Sequence, residues 1–412
     1  VSVSQPVSNR PSSLAGLRCL LYSHDSWGLG HLKRSLAIAS ALTTRFPDAN
    51  VLVVTGSPCA TQFNLPENCD VLKLPSVSKD AEGQYISRNL TDDVSRTIDL
   101  RSRLILEAYR SFKPHLVLVD HQLTGLHGEA LPMLHEAHEA DCILIYGMRD
   151  VLDDPEAVAV EWDRHENHWA LRHGYESVCV YGTPEVFDPR TQYPMLAPHK
   201  DKVNFTGYIV SPLDYTTRLP VPTRIPHVLV TMGGGQDGRE RLECFFDSLL
   251  QAPPTWTSHV LTGPLMEAGS VRHFKRLVQR MGMTQQVRVS RFHNNIPHLL
   301  QAADAVVSMA GYNSCAEILQ SRIPAILLPR TTPRREQLIR AKRFQALGLA
   351  QCLTDLQPAD LRDAIESALE LRPHAPGRID LEGTTRFCEL VEALVTRSAD
   401  GSTEPLRAVG RE

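Results

Sequence analysis

One pattern that occurs twice constrains this chain more than any other feature. Leu17–Ser23 is a short apolar run, Gly28-Leu-Gly30 a glycine loop, and His31–Leu42 a stretch whose Leu32, Leu36, Ala39 and Leu42 fall on one helical face. Val51–Thr55 is a second apolar run. A strand, a helix and a strand in that order make a right-handed crossover and a parallel sheet. About two hundred residues later the opening returns: His227–Met232 as strand, Gly233–Gly238 as glycine loop, and Arg239–Gln251 as a helix with Leu242, Phe245, Phe246, Leu249 and Leu250 as its apolar stripe. A chain of 412 residues is too long for a single core. The repeat therefore predicts an α/β protein of two Rossmann-like, doubly wound domains facing each other across a cleft, with ligands at the carboxyl ends of the strands.

Further strands are predicted at 71–74, 116–120, 143–146, 178–181, 259–261, 287–290, 305–307 and 325–328, all short and continuously apolar as strands covered on both faces are. Helices are predicted at 103–112, 271–281, 338–347, 358–371 and 384–396, and the polar stretch from Ser76 to about Thr97 reads as a surface excursion. The expected organisation is a disordered leader over 1–16, a first domain over 17–210, a linker over 211–226 carrying Pro212, Pro220, Pro222 and Pro226, a second domain over 227–397 whose last helix can pack back on the first, and a loose tail over 398–412.

Composition narrows the function. With 43 Lys and Arg against 47 Asp and Glu, the net charge of -4 supplies no basic field for nucleic acid. No apolar run reaches the roughly 18–20 residues that cross a bilayer, and the first sixteen residues lack the apolar centre of a signal peptide. The expectation is a cytoplasmic chain without a transmembrane segment, with peripheral membrane contact left open. The nine cysteines are scattered singly with no Cys-x-x-Cys pair, as expected of reduced thiols and not of a zinc site or disulfide framework.

The residues that carry chemistry cluster at predicted strand ends. Ser308-Met-Ala-Gly311-Tyr312-Asn313-Ser314-Cys-Ala-Glu317 reads as strand, glycine turn and helix. Such a helix start offers unpaired N–H groups and a favourable dipole to an anion such as a diphosphate, with Glu317 placed for a sugar hydroxyl beside it. Gly233, Gly234, Gly235 and Gln236 form a second loop able to approach phosphate closely, and Asn313 and Ser314 add side-chain donors. Gly30 and His31 begin the first helix, where the positive dipole end favours a neutral imidazole poised as base. Lys33 replaces the third glycine of a dinucleotide fingerprint, and Thr55-Gly56 stands where an acid would hold an adenosine ribose, so a nicotinamide enzyme is disfavoured. Arg330, Arg334 and Arg335 supply charge for a leaving diphosphate in a chain with no visible acidic metal cluster. Asp120-His121 and Arg149-Asp150 close strands of the first half and either line an acceptor site or serve the fold.

Taken together these motifs resemble the nucleotide-sugar glycosyltransferases of the GT-B fold, and among them the group similar to MurG, over Leu17 to about Thr396. The resemblance implies that Gly28-Leu-Gly30-His31 faces the donor and that Gly233–Gln236 matches a Gly-Gly-Ser-Gln loop with glycine in place of serine. It implies a ribose contact for Glu317, a base-reading position at Phe292, and donor-sugar contacts for Arg334-Arg-Glu336-Gln337, where only the second glutamine of an Asp-Arg-Gln-Gln segment is kept. His24-Asp25, Val119-Asp120-His121, Arg149-Asp150 and Pro329-Arg330 to Glu336-Gln337 are similar to a bacterial group of MurG-like glycosyltransferases. His31-Leu-Lys33-Arg34 and Val119-Asp120-His121 also resemble the UDP-sugar hydrolase of pseudaminate synthesis. The expectation is a metal-independent, cofactor-free transferase that moves a sugar from a nucleotide-sugar donor, a UDP-sugar first, to a glycan, lipid-linked or small-molecule acceptor. His31, Asp120 and His121 are its catalytic candidates; Trp27, Arg149 and Asp150 lie on the acceptor side. A hydrolase of the same fold and a non-catalytic nucleotide-sugar binder are the alternatives.

Overall fold

The computed structural model describes residues 9–11, 13–24, 30–60, 63–80, 84–91, 93–210, 225–293, 295–371 and 379–400. Two compact units are formed: the first takes the chain up to Pro184, residues 188–209 and the chain from Glu382, and the second takes Glu185–Phe187 and Val210–Leu381.

The first unit runs β1 (Arg18–Ser23), α1 (Gly30–Arg45), β2 (Asn50–Thr55), β3 (Cys69–Lys73), β4 (Val77–Lys79), β5 (Tyr85–Ser87), α2 (Val94–Phe112), β6 (Leu116–Asp120), α3 (Leu131–Glu139), β7 (Ile143–Arg149), α4 (Pro155–Trp162), α5 (His165–Trp169), β8 (Ser177–Tyr181), α6 (Pro189–Gln192) and β9 (Val203–Phe205). Seven parallel strands pair in the order β3-β2-β1-β6-β7-β8-β9. The direction of winding reverses between β1 and β6, where Ser23 lies beside Asp120.

The second unit runs β10 (His227–Thr231), α7 (Arg239–Gln251), β11 (Thr257–Leu261), α8 (Ala268–Arg280), β12 (Val287–Ser290), α9 (Ile296–Gln301), β13 (Ala305–Ser308), α10 (Tyr312–Ser321), β14 (Ala325–Leu327), α11 (Glu336–Ala346), β15 (Gln351–Cys352) and α12 (Pro358–Glu370). Its six parallel strands are ordered β12-β11-β10-β13-β14-β15, and the reversal falls between β10 and β13, with Thr231 beside Ser308. Val228 and Val230 belong to a core with Phe245, Phe246, Phe274 and Ile365, so the alternation of β10 and the stripe of α7 bury one another. The last helix, α13 (Gly383–Asp400), returns to the first unit, packs on α1 and places Glu392 3.1 Å from Arg45.

Three segments differ from expectation. The stretch after Ser76, read as a surface excursion, is structured: Val77–Lys79 and Tyr85–Ser87 pair antiparallel, and α2 starts at Val94, earlier than expected, with the Asp93 side chain accepting from Ser95 N. Thr97, Arg101, Ile105 and Tyr109 face inward, so a polar pair occupies the first half of the buried stripe and hides it from an apolar count. Residues 9–11, read as part of a loose leader, are held by a bond from Asn9 N to Ala140 O (2.7 Å) and by ion pairs of Arg10 with Asp141 and Glu176. Helix α13 continues past residue 397, the expected boundary; residues 1–8, 211–224 and 401–412, which hold the rest of the leader, most of the linker and most of the tail, lie outside the described residues. All nine cysteines are free thiols, six of them buried. Among the described residues no helix is long and apolar enough to cross a membrane.

Candidate active site

In each sheet the loops that leave the two strands flanking the reversal diverge, which opens a crevice at the carboxyl edge. In the first unit β1 feeds α1 and β6 ends at Asp120, so His31 and Asp120, 89 residues apart, meet there. His31 Nδ1 lies 2.6 Å from Asp120 Oδ2, and Arg34, one turn further along α1, holds the same carboxylate through Nε at 3.2 Å and Nη2 at 2.9 and 2.6 Å. Arg34 Nη2 also approaches His31 Nδ1 at 2.8 Å. A lone pair on Nδ1 would face the carboxylate's lone pairs, so Nδ1 carries the proton and donates it to Asp120, and Nε2 is the ring's proton acceptor. Burial alone would push the Asp120 carboxyl up; the charges and hydrogen bonds of Arg34 and His31 overcome it and hold the group well below the usual carboxylate range.

Two more histidines close around His31. His24 directly follows β1 and His121 follows Asp120; the ring centroids lie 5.1 Å (His24–His31), 5.0 Å (His31–His121) and 5.6 Å (His24–His121) apart. Burial first, and then the neighbouring His31, Arg101 and Arg149, depress the basicity of His24, with Asp120 opposing them. His121 has φ 71°, a conformation held by its N–H donating to Gly147 O at 2.7 Å and by its carbonyl accepting from the Tyr146 hydroxyl at 2.7 Å. Arg149 ends β7 beside this cluster. Asp150, expected on the acceptor side, is fully buried and accepts from the Tyr208 hydroxyl and Val151 N at 2.7 Å each, so its carboxylate serves the fold. Trp27 lies outside the described residues. No group of three or more His, Cys, Asp or Glu among the described residues is arranged to hold a metal ion.

The second unit's reversal is built from backbone. Gly233 and Gly235 adopt φ of 56° and 89°, and a Cβ on Gly235 would stand 2.2 Å from Thr262 O, so only glycine fits this close turn. Gly311 caps α10, and a Cβ placed on Gly233 would be 3.9 Å from Ser314 Oγ, so both glycine loops meet at one point. Gly234, Gln236, Asn313, Ser314 and Glu317 stand on these two segments; Tyr312 is buried beneath them. Arg340, wholly buried in α11, donates to Ala310 O at 2.7 Å and stacks over Tyr312, which fixes the turn before α10.

Arg330, expected to receive a leaving diphosphate, is instead committed to two carboxylates: Nη1 to Asp237 at 2.7 Å and Nη2 to Glu336 at 2.6 Å. Gln337 Oε1 accepts from Arg330 N at 3.0 Å, so Glu336 and Gln337 brace the segment before α11. Oε2 of Glu336 is buried without a hydrogen-bond partner. Phe292 sits past the end of β12 at the sheet's edge and is 45% exposed. Sequence reading met Arg34 only within the His31-Leu-Lys33-Arg34 motif and did not single out Arg101 or Arg340; an arginine inside an otherwise apolar helical stripe is the one signal that marks those two.

Two parallel sheets of this order, each with its loops gathered at its own reversal, define the two-Rossmann GT-B fold of glycosyltransferases. A calicheamicin glycosyltransferase structure matches 93% of this chain and 99% of its own with a TM-score of 0.60 at 18% identity, and MurG of Acinetobacter baumannii matches 94% and 95% with a TM-score of 0.54 at 14% identity. More particularly, the chain is similar to MurG: residues 260–375 match the Glycosyltransferase family 28 C-terminal domain. Over 107 residues it is 29% identical to the Helicobacter pylori UDP-N-acetylglucosamine--N-acetylmuramyl-(pentapeptide) pyrophosphoryl-undecaprenol N-acetylglucosamine transferase, an alignment taking in 26% of this chain and 29% of that relative. The chain thus spans about three-tenths of the length of the curated relatives it matches.

Proposed function

We propose that the chain is a glycosyltransferase that moves a sugar from a nucleotide diphosphate sugar, a UDP-sugar first, to an acceptor hydroxyl without a metal ion. The observation that carries this reading is the 2.6 Å contact of His31 with Asp120 at the first sheet's reversal, which orients Nε2 as a base. In the proposed reaction Nε2 takes the hydroxyl proton as the acceptor oxygen bonds to the sugar's anomeric carbon. The bond from that carbon to the diphosphate oxygen breaks and the electron pair leaves with the phosphate, while Asp120 stabilises the imidazolium. The glycine loop at Gly233–Gln236 and the start of α10 with Asn313 and Ser314 take up the diphosphate charge, a task a helix dipole and converging N–H groups perform without a cation. Glu317 accepts from a ribose hydroxyl and Phe292 marks the base site, while Glu336 and Gln337, paired with Arg330, brace the segment beside the donor. The family match over 260–375, which contains these last residues, supports the donor side of the reading.

The test is incubation with a panel of nucleotide sugars, with and without hydroxyl acceptors, following nucleotide release and the fate of the sugar. Acceptor-dependent release that survives EDTA is expected. Release of free sugar at the same rate whatever the acceptor would replace transfer by hydrolysis, and tight binding with no release would leave a binding protein.

A further inference from the structure

Beneath the histidine cluster lies an ion pair that the proposed chemistry does not use. Arg101 on α2 and Glu129, in the segment between β6 and α3, are both completely excluded from solvent. Arg101 meets the Glu129 carboxylate with two parallel bonds, Nε to Oε2 and Nη2 to Oε1, at 2.6 Å each. The Tyr22 hydroxyl donates to Glu129 Oε1 at 2.5 Å and accepts from Leu126 N at 3.3 Å. The guanidinium's other N–H groups reach two main-chain carbonyls: Nη1 that of Pro75 at 2.6 Å, and Nη2 that of His24 at 3.3 Å.

Four separate segments are thereby joined at one point: the end of β1, the chain after β3, α2, and the turn after β6. A dry ion pair is a poor source of stability, since withdrawing both charges from water costs about as much as their attraction returns and an apolar pair of equal volume serves as well. What it supplies is direction. Two forked bonds and two carbonyl contacts admit one arrangement, where leucines and methionines would admit several. The carbonyl it grips belongs to His24, whose ring is 5.1 Å from that of His31.

We propose that Arg101, Glu129 and Tyr22 are positioning residues for the histidine cluster, setting where His24 stands against His31 and His121. The inference rests on the transfer reading for its kinetic readout. The titratable and charged groups facing His24 are His121, stacked on its ring, and His31, Asp120, Arg101 and Arg149, the last four of which bear on its protonation.

The decisive variant replaces the pair together, Arg101→Met with Glu129→Leu. The melting temperature is expected to stay within a few degrees of wild type or to rise. The KM for donor, whose loops belong to the other unit, should remain within about twofold, while kcat falls at least tenfold and the pH profile of kcat/KM moves. A folded double variant with wild-type kcat overturns the proposal, and so does a parallel loss of kcat, donor KM and melting temperature. Should the double variant not fold, Tyr22→Phe removes only the hydroxyl; it should lower kcat several-fold at unchanged donor KM, and an unchanged kcat there is equally fatal. NMR titration of the imidazoles needs no turnover. His24 should stay neutral well into acid in the wild type and titrate closer to an ordinary histidine in either variant, and an unmoved titration sinks the positioning role. If the wild type transfers no sugar, the transfer reading falls while this titration still decides the positioning one.

Discussion

The reversal points of the two sheets occupy the same place in the same topology and are made of different material. In the first unit the crevice is lined by side chains: three imidazoles, a buried carboxylate and Arg34, gathered from α1 and the ends of β1 and β6. In the second it is lined by main chain, with two glycines at positive φ and a helix start. Main-chain N–H groups hold an anion but cannot change protonation state at neutral pH, and imidazoles can. The division of labour in the proposed reaction follows from that contrast: proton transfer belongs to the first unit and diphosphate binding to the second.

The sharpest way to break this contrast is to remove the base. His31→Ala should lower kcat by about 10²- to 10⁴-fold while nucleotide binding, measured by calorimetry, stays near wild type. Near-normal turnover would take the imidazole out of the mechanism. Asp120→Ala carries a second penalty, because it strands the Arg34 guanidinium, whose side chain is 2% exposed. Leaving one partner of a buried pair alone costs about 3–5 kcal/mol, so chemical denaturation should show this variant far less stable than His31→Ala.

On the main-chain side, Gly235→Ala forces a Cβ to within 2.2 Å of Thr262 O at a φ of 89°. The loop must shift, at about 1–3 kcal/mol of strain, and nucleotide affinity should fall about tenfold or more with the pH profile of the residual activity unchanged. A variant binding nucleotide normally would mean that this loop does not touch the phosphates.

The same contrast explains what the sequence disclosed. A glycine loop between a strand and a helix is local, so Gly233–Gly238 and Gly311 were legible from a few residues, and the doubly wound order followed from apolar runs that had no other use. His31 was legible because it stands beside Gly30. Its partners were only half so. Asp120 showed as a strand-end acid, but its 2.6 Å contact spans 89 residues, and nothing local distinguishes it from Asp150, which ends in the core bonded to Tyr208. Arg101 was hidden for a related reason: a charged residue at a buried helical position reads as solvent-facing until Glu129, 28 residues on, supplies its partner. Arg330 was read from its charge alone, and a positive charge near an anion site says nothing of the carboxylates already paired with it.

Acid stability probes the first unit's cluster directly. Burial and neighbouring cations lower the His24 pKa, so the folded state binds that proton less readily than the unfolded one, and stability is lost as pH falls below the ordinary histidine value of about 6.5. Asp120 is likewise depressed; its contribution is intact above the ordinary carboxylate value of about 4 and is lost below it. The urea midpoint should therefore decline in two stages on acidification, and His24→Gln should weaken the first, to which His259, lowered to about 4 by burial, also contributes, while leaving the second. A first stage that persists undiminished in His24→Gln would assign it to another histidine.

The smallest expected effect tests the arginine of the second unit. Arg330 faces Asp237 at 2.7 Å and Glu336 at 2.6 Å, and Arg241 donates to the Asp237 carbonyl at 3.1 Å, so this corner of the proposed anion site carries two positive and two negative charges. A diphosphate arriving at the glycine loop must compete with Asp237, which sits on that loop, for the same guanidinium. Removing the competitor without changing its shape should therefore tighten binding: Asp237→Asn is expected to lower the Kd for UDP and for inorganic pyrophosphate by about two- to fivefold, the modest range proper to a partly exposed ion pair. The gain should shrink as salt is raised, since screening weakens the competitor's charge in the wild type as well. Weaker binding in Asp237→Asn would mean that the carboxylate holds Arg330 in a binding pose and is an ally of the phosphate. Equal binding would place Arg330 outside the anion site and leave it, like Gln337, a brace for the segment ahead of α11.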